Sequence, residues 1–133
     1  MSRPGEDIVR TWIIVTVVVV AVLAASAFYL LRPNPNVGDE SKLERTYSVE
    51  EQRRLDTVTV TGAELAAATC LDGARCYVAV QDVVYDMSGF PSWIKQGRHH
   101  GLQAGTDATA AFVRSGHARD KLQSMPVVGR LHR

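Results

Sequence analysis

From Trp12 to Leu31 the chain runs twenty residues without a charged side chain. Wound as a helix, that stretch rises about 30 Å, the thickness of a bilayer's hydrocarbon core. It offers no polar face that a soluble helix would turn to water. The block therefore predicts a single membrane-spanning anchor over 12–31, with residues 1–11 as a short N-terminal tail. Arg10 and Trp12 at one end and Tyr29 and Arg32 at the other are the cationic and aromatic groups that favour the interface. A cleaved signal peptide is the competing reading, because Ala25-Ser26-Ala27 fits a small-x-small cleavage pattern. Phe28 to Leu31 continue the apolar run past that site, which favours the anchor. Flanking charge orients the span weakly: Arg3 and Arg10 precede it, and Arg32, Lys42 and Arg45 follow it among Asp39, Glu40 and Glu44. The short tail argues for an inward N terminus and an extracytoplasmic domain.

The other residues of this 133-residue chain suffice for one core. Fifteen Lys and Arg against fourteen Asp and Glu leave a net charge of +1. That removes the bulk electrostatic case for nucleic acid as a partner. Two prolines, a glycine and few apolar groups over residues 32–46 read as a linker, with the domain spanning 47–133. Cys70 and Cys76 flank the turn-rich Leu-Asp-Gly-Ala-Arg. They either close a small disulfide loop in an oxidising compartment or remain two partly buried thiols. With no His or third Cys nearby, the pair alone is a poor metal site.

Within the domain, Ser48-x-x-Glu51 and Thr61-x-x-Glu64 have the spacing of capping boxes, each opening a short helix. Tyr77-Val-Ala-Val80 and Val83-Val-Tyr-Asp-Met87 are β-branched and aromatic runs separated by Gln81-Asp82, a tight hairpin. Asp107 to Arg114 and His117 to Ser124 read as two short helices, broken at Gly116 and stopped by Pro126. Val127 to Leu131 returns to the sheet. The class is α+β: a short mixed sheet with helix pairs, preceded by one transmembrane helix.

Ala104-Gly-Thr-Asp-Ala-Thr-Ala-Ala-Phe-Val-Arg-Ser-Gly-His117 is similar to the Ala-Gly-x-Asp-Ala-Thr-x-x-Phe-x-x-x-Gly-His segment of cytochrome b5-like haem-binding domains. Val83-Val-Tyr-Asp-Met-Ser88 resembles that family's Val-Tyr-Asp-Val-Thr strand, and Pro126-Val-Val-Gly-Arg-Leu131 its closing Ile-Gly-x-Leu. The resemblance covers Thr61 to Leu131 and not the anchor. It implies a fold whose helix pairs frame a haem slot, with His117 as an axial ligand. The other ligand segment departs from the well-known His-Pro-Gly-Gly. Here Gly97-Arg-His-His-Gly101 follows Trp93, similar to a bacterial branch with Trp-x-x-Gly-x-His but one residue longer before the glycine. That makes His99 the first choice, with His100 as the alternative, and suggests a bacterial-type inner (plasma) membrane.

The chemistry is consistent with that reading, since noncovalent haem b needs an apolar slot and neutral imidazoles aimed at the iron. Two histidines seventeen or eighteen residues apart on separate elements can face each other across a slot, as an i, i+4 pair on one helix cannot. Candidate walls are Val83, Tyr85, Phe90, Trp93, Leu102, Phe112, Val113, Leu122 and Met125, each also a reasonable core residue. Neither cysteine heads a Cys-x-x-Cys-His site, so covalent c-type attachment is excluded. Iron ligated by two histidines lacks an open position, which leaves one-electron transfer. No nucleophile triad, phosphate loop or acid–base pair marks an enzyme; Asp82, Asp86 and Asp107 read as turn and capping residues. From Lys95 onward seven cations face only Asp107 and Asp120, so an acidic redox partner is expected at the haem end. The alternative is a membrane-anchored module that binds haem or another small ligand, or an accessory subunit of a membrane complex, without a redox role of its own.

Overall fold

The computed structural model describes residues 4–133, which form an N-terminal unit ending at Asn34 and a second unit, Pro35–Arg133. The first unit is built on helix α1, Pro4–Leu30. It begins well before Trp12, so most of the expected tail is helical. Glu6 and Asp7 in its first turn complement the N-terminal end of the dipole and explain the early start. The helix is long and apolar enough to cross a membrane, and none of its apolar window is buried. Its hydroxyls are satisfied internally: Thr11, Thr16 and Ser26 each donate to the carbonyl four residues back at 2.8 Å. The helix passes through the Ala25-Ser26-Ala27 site without a break.

The second unit carries a four-stranded mixed sheet in the order β1-β6-β3-β2. Its strands are β1 (Thr59–Thr61), β2 (Tyr77–Val80), β3 (Val83–Asp86) and β6 (Val127–His132). β1 runs parallel to β6, and the other pairings are antiparallel. β2 and β3 form the expected hairpin, turning at Gln81-Asp82 with Gln81 at φ +56°. Alternation along β2 and β3 sends Val78, Val80, Val83 and Tyr85 into one core, and Ala79 and Val84 into a smaller one on the opposite face. Both capping boxes are present. Ser48 opens α2 (Val49–Thr57) and Thr61 opens α3 (Gly62–Ala66), each with its glutamate reaching back to the cap N–H. Cys70 and Cys76 are disulfide-bonded, so of the two open readings the structure takes the bridge.

The remaining elements stand on the side of the larger core. They are α4 (Pro91–Ile94), the small hairpin β4 (Arg98–His99) and β5 (Leu102–Gln103), and α5 (Thr109–Arg114) and α6 (Arg119–Ser124). Asp107 accepts the Thr109 N–H at 2.9 Å and Asp86 the Ser88 N–H at 2.8 Å, so both serve the turns as expected.

The expected linker over 32–46 is corrected, because the chain joins the second unit from Pro35. A 3-10 turn, Glu40–Leu43, is capped by Asp39. Lys42 is 2% exposed and donates to the carbonyls of Asn36, Ser115 and His117 at 2.6, 2.8 and 3.2 Å. Arg45 donates to the carbonyls of Leu122 and Met125 and pairs with Glu51. A helix leaves its last carbonyls without intrahelical partners. These two cations satisfy such groups at the ends of α5 and α6, a demand that linker-like composition does not reveal.

Candidate haem site

α4 starts on Pro91, whose fixed φ suits a first helical position, and the turn that follows it closes at Gly97. Gly97 sits at φ +66°, donating its N–H to the Trp93 carbonyl at 2.8 Å and accepting from Ala104 at 2.8 Å. A Cβ there would lie 2.6 Å from the Thr69 carbonyl oxygen. Next, Arg98 pairs with Gln103 and His99 with Leu102, and His100-Gly101 makes the two-residue turn with both φ angles positive, +47° and +81°. That is the turn geometry matching the twist of a tight hairpin. His99 therefore ends a strand, and His100 occupies the exposed tip.

His117 lies opposite, in the loop between α5 and α6. Its N–H donates to Ser115 Oγ at 3.3 Å, and its carbonyl is held by Lys42. The His99 and His117 ring centroids are 6.1 Å apart, with planes inclined by 18°. Both side chains are half-buried. His100 packs edge-on against His99 at 4.1 Å, and the ligand nitrogens of all three histidines lie within 4.8 Å of one another. Burial foremost, then the proximity of His100 and His117, lowers the pKa of His99 below its ordinary value. The shift favours the neutral imidazole, the form that binds metal.

A cavity of about 260 Å³ opens beside this pair, walled by Phe90, Trp93, Phe112 and Met125 with Val78 and Val80 from β2. A second, of about 480 Å³, shares His99, Phe112 and His117 and is bordered by His100 and Arg114. Haem iron takes imidazole nitrogen as a ligand, and those of His99 and His117 lie within 4.8 Å of each other. The spacing, the neutral imidazole and the apolar walls all fit haem.

Of the sequence-derived site residues, His99, His117, Phe90, Trp93 and Phe112 come together around the cavity, as does Met125, and His100 borders its neighbour. Tyr85, Leu102 and Leu122 do not line it. Tyr85 shares the sheet face but lies under the Arg45 guanidinium, 5.1 Å from its ring. Burial, then hydrogen bonding with Tyr47, pushes its phenol pKa far up. Leu122 is 1% exposed within the core, and Leu102 is occupied opposite His99 in the hairpin. Val83 and Val113 also lie off the cavity. Val78, Val80, Met87, Ser92 and Ala108 are lining residues that were missed. The period-two pattern of β2 carried the signal for the two valines. Among the expected basic groups, Lys121 and Arg114 border the cavities. Arg133 instead pairs with Asp107 at 2.6 Å, and Arg119 with Glu44 at 3.1 Å.

Comparison with known proteins identifies the family. Residues 61–132 match the model of the family described as cytochrome b5-like heme/steroid binding domain. A solved cytochrome b5 domain protein of Hadesarchaea is 38% identical with a TM-score of 0.51, covering 57% of this chain and 100% of its own. One from Methanococcoides burtonii is 36% identical with a TM-score of 0.52, covering 57% and 99%. No curated protein matches the chain. With the family model matched over more than half the chain and its histidine segments facing across one cleft, this protein belongs to the cytochrome b5-like haem/steroid-binding domain family.

Proposed function

We propose that this protein is a membrane-anchored b-type cytochrome carrying single electrons through a noncovalent haem held by His99 and His117. The observation that carries the reading is the facing histidine pair, 6.1 Å between centroids, in an apolar cleft. His99 and His117 would both hold the haem, which when bound would supply one-electron exchange without an open site for oxygen or peroxide. Trp93 packs 5.5 Å from the His99 ring and fixes its tilt. Lys121 and Arg114 border the cleft, where they would pair with the carboxylates of a bound haem and attract an acidic partner. α1 supplies the single-span anchor. The Cys70–Cys76 bridge favours an extracytoplasmic domain, since such bonds persist in oxidising compartments.

The test is haemin titration of the full chain in detergent, with absorption spectra before and after dithionite. A stoichiometric low-spin spectrum is expected, lost in His117→Ala and His99→Ala and kept in His100→Ala. A high-spin spectrum indifferent to all three changes would move the reading to a ligand-binding module without bis-histidine haem.

A further inference from the structure

Among the described residues the side chain of Lys42 is buried, at 2% exposure, as is that of its neighbour Arg45, at 1%. No carboxylate among those residues pairs with Lys42 within salt-bridge distance. Its ammonium has three donors, and three backbone carbonyls take them, at Asn36, Ser115 and His117. Two of those carbonyls belong to the turn that carries His117. The same ammonium stands 5.0 Å from the ring centroid of Phe112, a wall of both cavities at the histidine pair. Burying an ammonium costs several kcal/mol before its partners offset it, so packing alone would be better served by a methionine. Lys42 also precedes the family match, which begins at residue 61. The chain thus brings this contact from its own N-terminal extension.

Resting on the haem reading above, we infer that Lys42 is a positioning residue for His117: by clamping the Ser115 and His117 carbonyls it fixes the loop from which the second imidazole enters the cleft. It also keeps a positive charge beside the cleft. Arg119 is the natural control, because it ties the same extension down through the Ser41 carbonyl at 2.8 Å and through Glu44 without touching the Ser115 or His117 carbonyls.

The experiment compares the full chain in detergent as wild type, Lys42→Met and Arg119→Ala, each loaded with haemin. Lys42→Met should pass haem to excess apomyoglobin about tenfold faster, the scale expected for lost charge-assisted hydrogen bonds. Its midpoint potential should move to more negative values, because a nearby cation favours the reduced, less positive iron. Arg119→Ala should keep both at wild-type values even where its urea midpoint falls. Equal effects in the two variants, or no effect in either, would overturn the assignment. Amide exchange in the haem-free chain separates this from failure of the haem reading. Faster exchange over Ser115–Ala118 in Lys42→Met than in Arg119→Ala supports the clamp, and equal exchange refutes it whether or not haem binds. Should Lys42→Met not fold, the wild type still decides. A coupling from Lys42 Nζ to a labelled His117 carbonyl carbon supports the clamp, and a freely exchanging ammonium without it is contrary.

Discussion

The two walls of the cleft hold their histidines by different means. On the His99 side the devices are local: Gly97 at φ +66° closes the turn after α4, and His100-Gly101 turns β4 back on β5. On the His117 side they come from more than seventy residues earlier in the chain, as Lys42 reaches the Ser115 carbonyl after α5 and Arg45 the Leu122 and Met125 carbonyls at the end of α6. One imidazole is placed by turn chemistry, and the other by cations supplied from outside the family's segment. The first wall should therefore break through backbone changes at one or two residues, and the second through loss of charge.

The largest effect is expected at Gly97. An added Cβ meets the Thr69 carbonyl at 2.6 Å and Leu71 at 3.0 Å, and a residue other than glycine is strained at this positive φ. Gly97→Ala should lower unfolding free energy by roughly 2–4 kcal/mol, measured by urea denaturation of the haem-free chain. A change under about 0.5 kcal/mol would show that the wall yields to the methyl, against the local account.

The disulfide supports the same wall, since Thr69 and Leu71 flank Cys70. Cys70→Ser with Cys76→Ser should cost about 2 kcal/mol, the scale for closing so short a loop. The double variant should also become insensitive to reductant. If wild type and variant unfold at the same urea concentration, the bridge contributes nothing to holding Gly97 in place.

The opposite wall should respond to acid. Burial raises the pKa of Glu51, but the Ser48 N–H and the Arg45 guanidinium outweigh it, and the net shift is downward. A carboxyl with a folded pKa below its unfolded one adds stability above the unfolded value and loses it as pH falls through the folded one. Glu51→Gln should cost about 1–2 kcal/mol at pH 7. That cost should shrink as pH falls below the ordinary glutamate range. A wild-type to variant difference that stays constant into acid would refute the Arg45–Glu51 contribution.

Legibility in the sequence follows the same division. The hairpin at Gln81-Asp82, both capping boxes, the strand at Val127 and the apolar helix are local patterns, and all are present. That His99 and His117 face each other across one cleft was legible because histidine segments at a family's spacing are strong signals. Residues 35–46 were misread, since what makes them structure is not their composition but the carbonyls following α5 and at the end of α6 that Lys42 and Arg45 meet. Tyr85 and Leu122 were read as walls because apolar pattern gives burial and sheet face. It does not say which part of one continuous core stays open.

The smallest effect, with the opposite sign, is expected at the hairpin tip. His100 adopts φ +47° in a turn whose first position favours asparagine, with glycine already in the second. His100→Asn should stabilise the haem-free chain by about 0.5 kcal/mol, because asparagine reaches this conformation with less strain. It removes an imidazole 4.1 Å from His99 while leaving the His99–Leu102 pairing in place. If His99 is the ligand, haemin-loaded His100→Asn retains the low-spin spectrum and gains stability. A variant that is more stable but high-spin would make His100 the ligand. The local wall would then be what aims the tip residue, rather than the strand residue, at His117.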